Sequence, residues 1–253
     1  MLGNSARWWK VPAAALVCLL AVSGVASAQG GAPAAPSSAP AAQFSLDAAT
    51  LQRYVGHYRV GATDIQSVMT VALSGTQLTM QPTGGPQLEI DPQSATNFAL
   101  KGLPVSLDFV ASGKGPATAM IVHQGGQDVT MPRIDDAAAA QFTAKLAARI
   151  QSKTPLPGSQ AAVNDFLDRL GKGVPLDYSK MSPPLAEAMR AQADQAASVI
   201  SSLGALQSLT FQGVEASGAD TYLAKFLTGS LLVHIVVDSK GMINGLGLTP
   251  APP

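Results

Sequence analysis

The stretch IVHQGGQDVTMPRIDDAAAAQFTAKLAARI, Ile121 to Ile150, changes its hydrophobic period in the middle. Up to Ile134, apolar and polar residues alternate around the turn pair Gly125-Gly126, as two short antiparallel strands do. After Ile134 the apolar residues Phe142, Leu146 and Ile150 recur at helical spacing. Asp135 or Asp136 stands where a helix cap belongs, and Lys145, Arg149 and Lys153 lie toward the negative end of the helix. A chain that changes period at one point carries two architectures in series: mainly β before it, α+β after it.

Working backward, strands are expected at His57 to Val60, Gln66 to Leu73, Gln77 to Gln81, Gln87 to Asp91, Asn97 to Leu100, Val105 to Val110, Ala117 to His123 and Gln127 to Arg133. Turn residues separate them, among them Ser74-Gly75, Gly84-Gly85-Pro86, Asp91-Pro92 and Gly113 to Gly115. Short strands at a spacing of roughly ten residues suggest an up-and-down antiparallel barrel, whose closure removes exposed edges. A further reading is a carrier of lipid or another hydrophobe in the barrel, which requires a hollow barrel and not one filled with side chains.

Working forward, TPLPG stops the first helix, and a second is expected from Ser159 to Leu170, with Gly171 past its end. Ser182-Pro183-Pro184 starts a third, whose stripe of Leu185, Met189, Ala193, Ala196, Ile200 and Leu203 runs to Gly204. Four period-two segments then follow from Leu206, a meander packed on helices. The third of these, Leu231 to Val237, is apolar on both faces except at His234, so cover is expected on both sides.

The chain starts with Arg7 and Lys10, an apolar run, and Ala26 to Ala28 ahead of Gln29, the layout of a secretory signal peptide cleaved after Ala28. The apolar run is short for a stable membrane span. The one cysteine, Cys18, lies inside it, so the exported protein would hold no disulfide and no thiolate metal site. Residues 29–43 are only Gly, Ala, Pro, Ser and Gln, a flexible linker by composition. The expected division is a signal peptide at 1–28, the linker at 29–43, a barrel at 44–134, a helical connector at 135–158 and an α+β part at 159–253. A periplasmic or secreted location follows from the leader.

Basic and acidic residues balance at 16 each, and removing Arg7 and Lys10 tips the balance to the acidic side, which argues against nucleic acid as a partner. No Ser-x-x-Lys, Gly-x-Ser-x-Gly, His-Glu-x-x-His or phosphate-loop pattern occurs. The three histidines, His57, His123 and His234, fit satisfied sheet residues better than a zinc site. Of the carboxylate pairs, Glu89 with Asp91 suits a solvated strand face, Asp135 with Asp136 a cap, and Asp165 with Asp168 a helix surface. No cofactor and no metal is expected. The candidate ligand-binding set is Tyr222, His234 and Asp238, placed by the meander on a face that helices at its back would leave open.

Several pieces of the first half together carry a family resemblance: Tyr54, Gly56 and Tyr58 after a helix, a Gln-Pro-Thr-Gly hairpin at Gln81 to Gly84, and a last strand with His123, Gln124, Gly126, Arg133 and Ile134. The region from about Leu46 to Ile134 resembles the lipocalin-like domain found C-terminal to the catalytic domain of serine beta-lactamase-like hydrolases. The remainder is similar to small nuclear-transport-factor-like, cone-shaped α+β modules of secreted bacterial hydrolases, mainly through Gly204 to Gly218 and through Gly241, Gly245 and Gly247. The resemblance implies an eight-stranded lipocalin-like barrel followed by a helices-plus-four-strand domain. It also implies an accessory role in assembly or in shaping access to a neighbouring active site. The Ser-x-x-Lys nucleophile of those hydrolases is missing, so their activity does not carry over. The expected function is a non-catalytic accessory protein that binds a secreted hydrolase, a copy of itself, or a small apolar or peptidic ligand. The alternative is a cone-like enzyme, or a small-ligand binder, working from the open face of the second half.

Overall fold

The computed structural model describes residues 44–61, 64 and 66–252. The expected signal peptide and linker lie outside them. A short helix α1 (Ala48–Gln52) leads into eight strands: β1 (Gly56–Val60), β2 (Ser67–Ser74), β3 (Gln77–Pro82), β4 (Leu88–Pro92), β5 (Asn97–Leu100), β6 (Val105–Ala111), β7 (Ala117–Gln124) and β8 (Gln127–Ile134). They close in sequence order into an antiparallel barrel. Helices α2 (Asp136–Ser152) and α3 (Ser159–Lys172), a 3-10 turn at Tyr178–Lys180 and helix α4 (Pro183–Leu203) follow. Last come β9 (Leu206–Val214), β10 (Asp220–Phe226), β11 (Ser230–Val237) and β12 (Ile243–Pro250), a separate antiparallel sheet of order β12-β11-β10-β9. The expected fold class, mainly β plus α+β, is what the chain adopts.

The barrel closes on a thin seam. β1 and β8 pair only at His57 with Ile134 and Tyr58 with Arg133. The next β8 residue is Pro132, which has no N–H to extend the ladder. Arg133 reinforces the seam: its Nη2 donates to Val55 O at 2.6 Å, and its guanidinium lies 5.8 Å from the centre of the Tyr58 ring. Gly56 makes room for that guanidinium, since a Cβ there would sit 2.5 Å from Arg133 Nη2. Tyr54, Gly56, Tyr58 and Arg133 are thus one packing unit at the barrel mouth.

The barrel is filled. Tyr54 stacks on Phe109 at 4.6 Å between centroids, and Phe98 meets Phe109 edge-on at 5.3 Å. Met69, Met80, Met120 and Met131 pack with Leu78, Ile90 and Leu107 around these rings, all fully buried. Both tyrosine hydroxyls are satisfied, Tyr54 by Ala95 O at 2.5 Å and Tyr58 by Tyr54 O at 2.7 Å. Burial pushes the Tyr58 hydroxyl up to about 12, so the interior holds a neutral phenol.

In the second half, α3 and α4 cover one face of the sheet. Val163, Phe166, Leu167, Leu170, Leu185, Met189 and Ile200 from the helices meet Tyr222, Val233, Ile235, Leu246 and Leu248 from the strands. α3 runs on through Gly171 to Lys172, past its expected end. The pairs Asp165–Arg169 and Asp168–Lys172 support the added residues, and Gly173, at φ +65°, ends the helix in the left-handed conformation. On α2 only Ala139 and Leu146 are buried while Ile150 is exposed, so its apolar stripe is narrower than its sequence suggests.

The two halves meet along α2 and a set of turns. Arg149 of α2 donates from Nη2 to Asp220 Oδ1 at 2.7 Å and from Nη1 to Gly218 O at 3.3 Å. The second Asp220 oxygen accepts from Leu156 N at 2.6 Å, so this fully buried carboxylate has both oxygens paired. Asp64 Oδ2 accepts from Ser239 N at 2.7 Å. Gly84, at φ +69°, presses against the β9–β10 turn, where a Cβ would come within 2.3 Å of the Ala216 carbonyl carbon. That contact gives the glycine of the Gln81 to Gly84 hairpin a physical reason.

Candidate functional site

In β11, Leu231, Val233, Ile235 and Val237 belong to the helix-covered core, so Leu232, His234 and Val236 point to the other face. Cross-strand pairing adds Thr221 opposite His234, Leu223 opposite Leu232, and Thr249 opposite Leu232 on the far side. Leu156, from the α2–α3 connection, covers the Val236 end together with Ala219. The expectation of cover on both sides of β11 therefore holds at this end. Toward Leu223, Leu232 and Thr249 no helix among the described residues packs on the face, and these three are only half-buried.

His234 is the centre of that face. Its Nδ1 lies 2.5 Å from Glu215 Oε1 and its Nε2 lies 2.9 Å from Thr249 Oγ1. Thr221 donates to the same Glu215 oxygen at 2.9 Å, and Ser217 to the other at 3.1 Å. The hydrogen bond from His234 holds the Glu215 carboxyl below the usual carboxylate range, against the opposing effect of burial. With Nδ1 donating to Glu215, Nε2 is free to accept the Thr249 hydroxyl proton. The row is hydroxyl, imidazole, carboxylate.

The three expected ligand-binding residues do not come together. Tyr222 is fully buried on the helix side, where its hydroxyl meets Ser159 Oγ at 2.6 Å. His234 lies on the opposite face because it pairs with Thr221, one residue out of phase with Tyr222. Asp238 caps the β11–β12 turn, accepting from Lys240 N and Met242 N at 2.9 Å each. Only His234 faces the open side, and the residues that join it there, Glu215, Thr221 and Thr249, were not singled out by sequence. Glu215 was findable as the one carboxylate of β9 and its turn.

The histidines do not converge. His57 pairs with Ile134 and His123 with Asp128, six residues apart on β8, or roughly 20 Å along the strand. His57 Nδ1 sits 3.1 Å from Thr70 Oγ1. Among the described residues no three metal-ligating side chains cluster. His123 lies on the outer barrel wall between Asp128 Oδ1, 2.6 Å from Nδ1, and Asp108 Oδ2, 2.9 Å from Nε2. Asn97 donates to the other Asp108 oxygen at 3.0 Å, so one polar row ties β5 to β8. The carboxylates, Asp128 foremost, raise the His123 titration above its ordinary value near 6.5. A raised folded value stabilises the fold below pH about 6.5, and this contribution disappears as pH climbs through the folded value. A histidine NMR titration should show the His123 midpoint above 6.5 and a lower one in Asp128→Asn; equal midpoints would refute the row.

The carboxylate pairs have structural partners. Glu89 pairs with Lys101 at 2.6 Å, Asp135 caps α2 through Ala138 N at 2.7 Å, and Asp165 and Asp168 pair along α3. A cleft of about 240 Å³ opens between α3, the 3-10 turn and β12, floored by Phe166, Met181 and Ile243. It falls below the roughly 300–1,000 Å³ of small-molecule pockets, and Asp165 and Arg169 on its rim pair with each other.

Among the described residues no helix is long and apolar enough to cross a membrane. No family model matches the chain, and a search of curated proteins finds no match.

Proposed function

We propose that this is an exported, non-catalytic accessory protein whose filled barrel supports a sheet module that makes the contacts. The contact surface is the helix-free side of the second sheet, with Leu223 and Leu232 as apolar anchors around the His234 row. One observation carries the reading: half-buried leucines stand beside a fully hydrogen-bonded polar group, an apolar centre with satisfied polar surroundings of the kind found in protein interfaces. The resemblance of the first half to accessory domains of secreted hydrolases supports a protein partner of that kind; a small apolar or peptidic ligand would use the same anchors. The protein immobilised in a periplasmic extract should retain a partner that Leu232→Lys does not. Identical retention by both proteins, or none by either, counts against the reading.

A second reading, an enzyme with His234 as proton carrier, is favoured by the Thr249–His234–Glu215 order, which places a hydroxyl beside a base oriented by a carboxylate. His234→Ala in folded protein decides it: turnover of any substrate the protein converts should vanish, and full retention ends this reading.

A further inference from the structure

Among the described residues, β9 is the longest strand edge without a pairing partner. Each barrel strand has two neighbours. In the second sheet, β12 is met at its outer side by Met181, bridged to Ile243, with Ser182 N donating to Ile243 O at 2.9 Å, and it ends in Pro250. β9 has not even such a bridge: its backbone, among the described residues, hydrogen-bonds to no strand but β10. It is nine residues long, LQSLTFQGV, with no charge and no proline. Natural edge strands commonly carry lysine or proline to discourage pairing.

At its start β9 lies beside exposed leucines, with Lys225 of β10 as the nearby charge, opposite Ser208. Leu227, 71% exposed, stands beside Leu206, 36% exposed. Leu227 N donates to Ala205 O at 3.1 Å and Thr228 N to Leu203 O at 3.1 Å, so the leucine is held out toward solvent by a fixed turn. A rigidly presented apolar side chain loses little entropy on docking.

We propose that β9 is the interface with a second copy of this chain, the two strands running antiparallel about a two-fold axis at Thr210 to make an eight-stranded sheet. This goes beyond the contact reading above, since it uses the free edge of β9 and not the Leu223–Leu232 face. The sequence of β9 is complementary to itself in that register. Thr210 meets its own counterpart, while Leu209 faces Phe211 of the second copy and Phe211 faces Leu209. Leu209 and Phe211 pack on the helix side of the sheet, and a two-fold axis normal to the sheet keeps them on one side. No like charges meet. Gln207 and Gln212 are bulged out of the pairing with β10, which limits the regular ladder to Ser208 through Phe211 and makes the dimer a reversible one.

The test is a cysteine scan in full-length protein carrying Cys18→Ser, with sedimentation of the unmodified chain beside it. In the proposed register the two Thr210 Cα atoms lie about 4.5–5.5 Å apart, within disulfide reach, whereas the two Ser208 positions are separated by roughly 13 Å. Thr210→Cys should form a disulfide-linked dimer under mild oxidation, Ser208→Cys should not, the unmodified protein should sediment at twice the chain mass at high concentration, and Thr210→Lys should be monomeric. Thr210 is exposed, so these changes leave the core intact. A protein that is monomeric at every concentration, or that cross-links equally from both positions, overturns the dimer. If that monomer still retains a partner sensitive to Leu232→Lys, the dimer alone has failed and the contact reading stands.

Discussion

Replacing Arg149 by methionine is expected to cost the protein about 3–5 kcal/mol, the range for breaking one side of a buried ion pair. Asp220 has no solvent exposure, and Arg149 supplies its Oδ1 with a charged partner at 2.7 Å. Methionine keeps much of the arginine stem's packing but leaves the carboxylate with only the Leu156 N–H. At about 2–4 °C per kcal/mol for a chain of this size, the melting temperature should fall by roughly 6–20 °C. Removing both charges, as Arg149→Met with Asp220→Leu, should recover much of the loss, because no ion then stays buried without a partner. If the single variant melts within about 2 °C of the parent, the pair does not hold α2 to the second sheet.

The second large effect is expected at Phe109→Ala. Phe109 touches Tyr54, Tyr58 and Phe98, so its ring is the hub of the barrel's aromatic cluster. Truncation should destabilise by about 3–5 kcal/mol. The space left is lined by apolar side chains and should stay dry, open to a benzene-sized ligand that the parent cannot admit. Calorimetry should find benzene binding in the variant and none in the parent. Binding by the parent would mean that the barrel has a lumen.

The barrel was legible in the sequence because each of its strands has one buried face and a turn residue at each end, so period two and glycine placement locate it. β3 needed only Gln77 to Gln81 and β5 only Asn97 to Leu100 to be placed within a residue of their ends. Helix ends were less legible. Gly171 has the composition of a stop signal, yet Asp168–Lys172 pairing and a better-placed Gly173 carry α3 past it. The site was the least legible part. Whether Tyr222 and His234 share a face depends on the β10–β11 register, which a hairpin sequence does not specify until the turn geometry is known. Two bulges in β9 complicate it further: they keep Leu206, Leu209, Phe211 and Val214 in phase with the helix-side residues of β10 despite uneven spacing, and so decide where Glu215 falls.

A barrel that is a solid support leaves binding to the second sheet. Met69, Met80, Met120 and Met131 report on this directly, since all four are fully buried inside the barrel. Their ¹³C-labelled methyl signals, followed by NMR during titration with a long-chain fatty acid, should not move. Saturable shifts of those four methyls at one equivalent would show a ligand in the barrel, which a solid support does not admit.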